Sequence, residues 1–452
     1  MEMELLWTDK CFLAVLSISL IIILSSLRRR HIRKAFQRIS HQPLALSAGI
    51  VLLFFLLIGV LDSIHIHPPQ SESDSEIAVS EHDTLLDSIL APLGSSYEKT
   101  YSAPLALNLY SVETVFVKGL ARQIYPRLQY PSKTIKDEAM KSQLVKDLLL
   151  KSLGLTLALL CIFWLLVIAF VRLKSSCWKI APSKSGCAVL MTLFVCLFVM
   201  IAGFWISRYL HPLGTGKIGQ DIFYYTIKSI RTGLVIGILT TLFMLPLALL
   251  LGIAAGYFGG FIDDIIQYTY ITLSSIPGVL LITASVLSMQ TYIANHPEQF
   301  DTLGKSADAR LLALCLILGV TSWTSLCRLL RAEALKLREI DYVLAARALG
   351  SSAFTILRKH LLPNVMHIIL ITLVLDFSFL VLAEAVLSYV GVGVSPMTIS
   401  WGNMINGARL ELAREPIVWW PMLAAFAFMF TLVLASNLFA DAVRDAFDPQ
   451  IS

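Results

Sequence analysis

The chain has 452 residues, of which 56% are hydrophobic and 15% charged, with a formal net charge of +5 and a mean hydropathy of +0.74. An ordinary soluble domain carries about 25% charged residues, so this composition excludes a soluble globular protein and points to an all-α polytopic membrane protein. The positive charge collects in three loops between apolar runs, which marks membrane topology and argues against nucleic acid as a partner.

A spanning helix needs about 20 mostly apolar residues, because the hydrocarbon core is about 30 Å thick and offers no partner to backbone polar groups. On that measure spans are predicted near 11–27, 44–61, 148–171, 187–207, 230–255, 265–289, 310–328, 366–390 and 418–440. Basic residues follow the first span (Arg28, Arg29, Arg30, Arg33, Lys34, Arg38), the third (Arg172, Lys174, Lys179, Lys184) and the seventh (Arg328, Arg331, Lys336, Arg338, Arg347, Arg358, Lys359). Cytoplasmic loops carry such an excess, so alternating spans put the N-terminus outside and the C-terminus in the cytoplasm. Glu2, Glu4 and Asp9 precede the first apolar run and Arg28–Arg30 follow it. That order is the reverse of a cleavable signal peptide, and the segment is expected to be retained. The seven cysteines fall in spans or cytoplasmic loops without a CxxC pair, so neither a disulfide-stapled external domain nor a metal site is expected.

Four regions follow. Residues 1–61 hold two spans, and 62–147 form an external segment that opens on the linker-like "HPPQSESDSE". Within it "LYSVETVFVKGL" and "YPRLQYPSK" read as strand and turn, 135–150 reads as helix, and the whole is near the size of a small domain. Residues 148–186 hold the third span and a basic linker, and 187–452 hold six spans with short loops. "GTGKIG" at 214–219 is no phosphate loop, since His211 and Ile218 stand where a Gly and a Ser or Thr are needed. Pro246 and Pro277 fall inside predicted spans, where each removes a backbone hydrogen bond and is a candidate gate hinge or packing kink. Gly252, Gly256, Gly259 and Gly260 suit close helix approach and turning. Asp376 and Glu384 place carboxylates within the eighth span, about 80° apart around the helix, and are candidates for the translocation path or its gating.

The stretch "DYVLAARALGSSAFTILRKHLLPNV", 341–365, stands out between two apolar runs. Tyr342, Ala345, Ala348 and Leu349 recur at helical spacing, as do Phe354, Leu357 and Leu361, with Gly350 between the runs and Pro363 ending the second. The spacing predicts two short amphipathic helices joined at a bend.

These residues resemble a known family. "AARALG" followed by "LLPN" is similar to the EAA loop of ATP-binding-cassette importer permeases in its peptide-transporter form, although Leu344 replaces the naming glutamate. "HPLGT", "GYFGG", "LAEAVLSYVGVG", "SWGNM" and "VRDAFDP" stand in the order of the C-type subunit of dipeptide, oligopeptide and nickel importers. The resemblance runs from His211 to the C-terminus; Gly216 and Gln220 depart from it. It implies a type I six-helix importer core, preceded by about three extra N-terminal spans and the external segment. By that resemblance the ATPase-coupling loop includes Ala345, Ala346, Leu349, Gly350, His360, Leu362 and Pro363. It further implies a bacterial inner-membrane permease that performs no covalent chemistry and binds no cofactor. Its implied partners are a homologous B-type permease subunit, two cytoplasmic ATPases holding ATP and Mg, and an extracytoplasmic binding protein. Two other readings are a secondary transporter, which would show repeated halves, and a membrane receptor built on 62–147. Neither gives 341–365 a purpose.

Overall fold

The computed structural model of the chain describes residues 5–26, 30–65, 84–94, 96–117, 120–130, 135, 137–173, 184–300 and 302–447. The linker read at 67–76 lies outside them, as do Arg28, Arg29, Lys174, Cys177, Lys179 and the last residues of "YPRLQYPSK" and "VRDAFDP". Helices α1 (Trp7–Ser26), α2 (Arg30–His41), α3 (Pro43–Asp62) and α4 (Leu85–Gly94) precede an antiparallel hairpin, β1 (Glu113–Val117) and β2 (Leu120–Ile124), in which Glu113 pairs with Ile124. Then follow α5 (Glu138–Leu173), α6 (Lys184–Ser207), α7 (Ile222–Phe258), α8 (Gly260–Ser275), α9 (Gly278–Asn295) and α10 (Leu303–Arg338). The chain continues with α11 (Asp341–Ala348), α12 (Ala353–Ile356), α13 (Leu362–Val390), α14 (Trp401–Arg409) and α15 (Trp420–Phe447). Among the described residues nine helices are long and apolar enough to cross a membrane: α1, α3, α5, α6, α7, α9, α10, α13 and α15. The protein is a multi-pass membrane protein.

The span predicted at 265–289 is two helices. Ile276 is extended (φ −86°, ψ 131°) and Pro277 stands at the N-cap of α9. A proline disfavours the helical region for the residue before it, so Pro277 separates α8 from α9 instead of kinking one span. Pro246, by contrast, lies inside α7 as expected.

The chain forms two compact units. One comprises Ser40–Arg231 with Ile399–Ala435; in it α3 and α5 both pack along α6. The carboxylates of Asp62 and Asp87 are hydrogen-bonded, as burial demands. Asp62, at the end of α3, accepts from Thr84 Oγ1 (2.8 Å), while Asp87 on α4 accepts from Tyr224 Oη (2.6 Å) and Lys228 Nζ (2.5 Å) of α7. The 96–130 stretch is sewn to the 211–221 loop. Glu98 N donates to Gly219 O (2.9 Å), Thr215 N to Ser102 O (3.1 Å) and Thr215 Oγ1 to Thr100 O (2.8 Å). Trp420 Nε1 donates to Thr215 O (3.0 Å).

His211 lies at the centre of this seam and is fully buried. Its Nδ1 is 2.7 Å from Asp221 Oδ2, its Nε2 faces Glu98 Oε1 at 3.9 Å, and the Glu98 carboxylate also accepts from the Gln129 and Tyr130 amides. Burial opposes the charged ring, but the Asp221 and Glu98 carboxylates outweigh it and push the His211 pKa up to about 9. The stability this charge contributes is fully present below the free imidazole pKa of about 6.5. It is lost as pH rises through the folded value of about 9. The melting temperature of the purified protein is therefore expected to fall between those two values, and that of His211→Gln to change less over the same range. Parallel profiles for the two proteins would exclude a charged His211.

The second unit comprises Leu5–Ile39, Thr232–Thr398 and the chain from Ser436. Here α1 is fixed to α10 by the Thr8 amide and hydroxyl, both donating to the Asp308 carboxylate. The core runs along α7 and α10 and includes Met244, Ala248, Trp323, Leu326 and Leu330. Gly252 and Gly256, one turn apart on α7, let α10 come close: a Cβ on Gly256 would stand 2.5 Å from Ala334 Cβ and 2.6 Å from Arg331 O. Such small-xxx-small spacing suits helix contact in lipid, where packing rather than water exclusion drives association.

Candidate functional site

The 341–365 stretch folds as two short helices with a bend, and the bend is built by hydrogen bonding. After α11, Gly350 N donates to Arg347 O (3.0 Å) and Ser351 N to Ala346 O (3.1 Å), with Gly350 left-handed at φ +79°. This closes the helix in the way glycine makes inexpensive. Ser352 then caps α12 by accepting from Thr355 N (3.4 Å).

Pro363 does not end the second helix. Residues Leu357–Leu361 form one π-helical turn and the chain runs on into α13, with Pro363 in its first turn. A proline lacks the N–H that an interior helical position must donate, whereas a first turn needs none. Asn364 fastens the junction, its Nδ2 donating to His360 O (2.8 Å) and to Tyr342 Oη (2.6 Å) across the bend. His360 and Tyr342 also lie ring to ring at 5.9 Å.

The inward face consists of Val343, Ile356, Leu361, Val365 and Ile369, all buried against Ala334 and Leu337 of α10, with Ala346, Leu357 and Leu362 packed beside them. The expected apolar set on α11, Tyr342, Ala345, Ala348 and Leu349, is instead exposed. Leu349 is 86% and Phe354 72% exposed, so an apolar tip projects from a firmly seated base. Gly350 has nothing within 4 Å of the place where a Cβ would stand. Arg347, Arg358 and Lys359 are exposed around the tip. Such an arrangement presents apolar anchors inside a basic rim, the layout of a protein-binding knob.

Two features of the base were not read from the sequence. Arg331 of α10 grips Asp263 of α8 with two hydrogen bonds (2.5 and 2.7 Å), and that grip, ahead of opposing burial, holds the Asp263 carboxyl below its usual range. Asn364 is the other. Its only sequence signal is its place directly after Leu-Pro.

The candidate path residues separate. Glu384 is 2% exposed and accepts from Ser388 Oγ (2.8 Å) on its own helix. Near it α13 closes with Gly391 left-handed (φ +87°) and Val392 N donating to Leu387 O, so "LSYVGVG" ends a helix. Asp376, two turns earlier, is half-buried. Phe377 beside it packs over Gly237 of α7, where a Cβ would meet its ring at 2.4 Å. Pro246 faces an apolar groove beside α12, and Pro277 lies between α8 and α9. Among the described residues no cluster of three or more His, Cys, Asp or Glu is placed to hold a metal.

Comparison with known proteins agrees with this layout. Residues 248–452 match the family model described as binding-protein-dependent transport system inner membrane component. The chain is 31% identical to the glutathione transport system permease protein GsiD of Pectobacterium atrosepticum, over 58% of this chain and 87% of that one. It is 31% identical to the dipeptide transport system permease protein DppC of Lactococcus lactis, over 54% of this chain and 64% of that one. With the oligopeptide transport system permease protein OppC of Bacillus subtilis the identity is 29%, over 53% and 72%. The matched residues 248–452 contain the two-helix tip, the last part of α7, all of α10 and the α13 terminus, and the chain belongs to the family of binding-protein-dependent transport system inner membrane components.

Proposed function

We propose that this chain is a permease subunit of an ATP-driven peptide importer of the bacterial inner membrane, with its N-terminus outside and its C-terminus in the cytoplasm. One observation carries the reading: the exposed tip of Leu349 and Phe354 stands on a base packed into the α7–α10 core. A partner ATPase seated on that tip can move the membrane helices through contacts that are already rigid. A second permease subunit completes the path, two ATPases hold ATP and Mg, and an extracytoplasmic binding protein delivers cargo. The substrates named for the relatives, glutathione, dipeptides and oligopeptides, support a peptide as cargo.

Within the path, Asp376 attracts the free ammonium of the peptide. An intramembrane carboxylate costs about 2.5–3.5 kcal/mol on insertion scales and is ordinarily turned to a bundle interior or a wet path. The complex reconstituted with its binding protein is expected to take up dipeptides with ATP. Asp376→Asn, which keeps size and hydrogen bonding, is expected to slow free-amine substrates about tenfold, the worth of roughly 1.4 kcal/mol, and N-acetylated analogues less. No ATP-dependent peptide uptake by the wild type would overturn the importer reading. Equal uptake by wild type and variant, at matched complex levels, would remove only Asp376.

A further inference from the structure

A groove of 640 Å³ runs between the second half of α7 and the turn after α12. Leu245, Leu249 and Ile253 form one wall, Phe354 and Leu357 the other, and Arg358 is its one charged lining residue. It shares Phe354 with the knob and extends from there along α7. From Leu245 to Ala254 the α7 wall rises about 14 Å. That is close to one leaflet of a hydrocarbon core about 30 Å thick.

The apolar lining and the charge together select an occupant. Arg358 apart, every residue that lines the groove is apolar, which suits hydrocarbon. Extended acyl chains fit it. Arg358 lines the groove and is exposed, and Lys359, next in the chain, is exposed as well. Basic pockets at the cytoplasmic ends of spanning helices suit anionic headgroups.

We propose that this groove binds an anionic glycerophospholipid, its acyl chains along α7 and its phosphate at Arg358. The proposal rests on the reading that 341–365 lies at the cytoplasmic membrane surface. Phe354 and Leu357 belong both to the groove and to the coupling segment, so the lipid would steady the segment from behind.

The test uses the purified complex, delipidated and returned to phosphatidylcholine nanodiscs with or without phosphatidylglycerol, and reads retained lipid by native mass spectrometry. Phosphatidylglycerol is expected to be retained over phosphatidylcholine. Arg358→Gln should weaken that retention about fivefold, the equivalent of roughly 1 kcal/mol per basic residue at an anionic surface. Arg347→Gln, outside the groove, should leave it unchanged. Equal retention by wild type and Arg358→Gln would overturn the site. So would a photo-crosslinking side chain replacing Leu250, 72% exposed in the groove, that captured the second permease subunit in place of lipid. The readout needs no ATP hydrolysis, so a chain that failed to couple to an ATPase would still show the lipid.

Discussion

Gly350→Trp is expected to leave the protein folded and inserted but to reduce sharply substrate-stimulated ATP hydrolysis by the assembled complex. The position is left-handed, which costs an L-residue of this kind roughly 1–2 kcal/mol, an amount a large membrane protein survives. No atom lies within 4 Å of the new Cβ, so the indole meets only the space where a partner would sit. Loss of a seated apolar anchor is worth about 2 kcal/mol or more, so stimulated hydrolysis should drop at least about thirtyfold. Gly350→Asn separates strain from bulk. Asn tolerates the left-handed region, and this variant should keep most of the coupling. Normal transport and hydrolysis in Gly350→Trp would end the assignment of 341–365 as a docking surface.

The second large effect is on assembly. Gly256→Leu should sharply reduce the yield of monodisperse, folded protein, and Gly256→Ala should already lower its melting temperature. At this position even a methyl group would lie 2.5 Å from Ala334 Cβ and 2.6 Å from the Arg331 carbonyl, and neither neighbour can swing away as the end of a long side chain would. Overpacking of this kind typically costs about 1–3 kcal/mol and occasionally more, and here it would force apart the two helices against which 341–365 packs. Gly278→Ala, at the start of α9 with nothing within 4 Å, is the control and should be silent. Wild-type yield and melting behaviour for Gly256→Leu would mean that α7 and α10 do not pack as described.

The spanning helices were legible because burial in lipid writes itself as length and hydropathy, and the predicted spans fall on helices throughout. The exception was 265–289, where apolar composition continued across Pro277 while the backbone did not. The 341–365 segment was legible as two helices from Gly350 and its flanking periodicity. Its orientation was not. Val343 and Ala346 face inward while Leu349 and Phe354 point out, and a pattern with apolar residues on both faces cannot say which face the protein keeps and which it offers to a partner. Pro363 misled for a related reason, since a proline that stops one helix is equally suited to starting the next. Asn364 and the Arg331–Asp263 pair depend on residues 22 and 68 positions apart, and no local rule brings them together. The same holds for His211, Glu98 and Asp221, whose seam joins the 211–221 loop to the 96–130 stretch.

Leu349 and Phe354 are expected to seat in an ATPase, and site-specific photo-crosslinking in the assembled, transporting complex tests this most directly. A photo-reactive side chain replacing Leu349 or Phe354 is predicted to capture the ATPase subunit in high yield. The same side chain replacing Leu349 in a Gly350→Trp background should capture much less, and one replacing Lys305, on an exposed turn at the start of α10, should capture none. Transport-competent complexes in which neither Leu349 nor Phe354 yields an ATPase adduct would contradict the account.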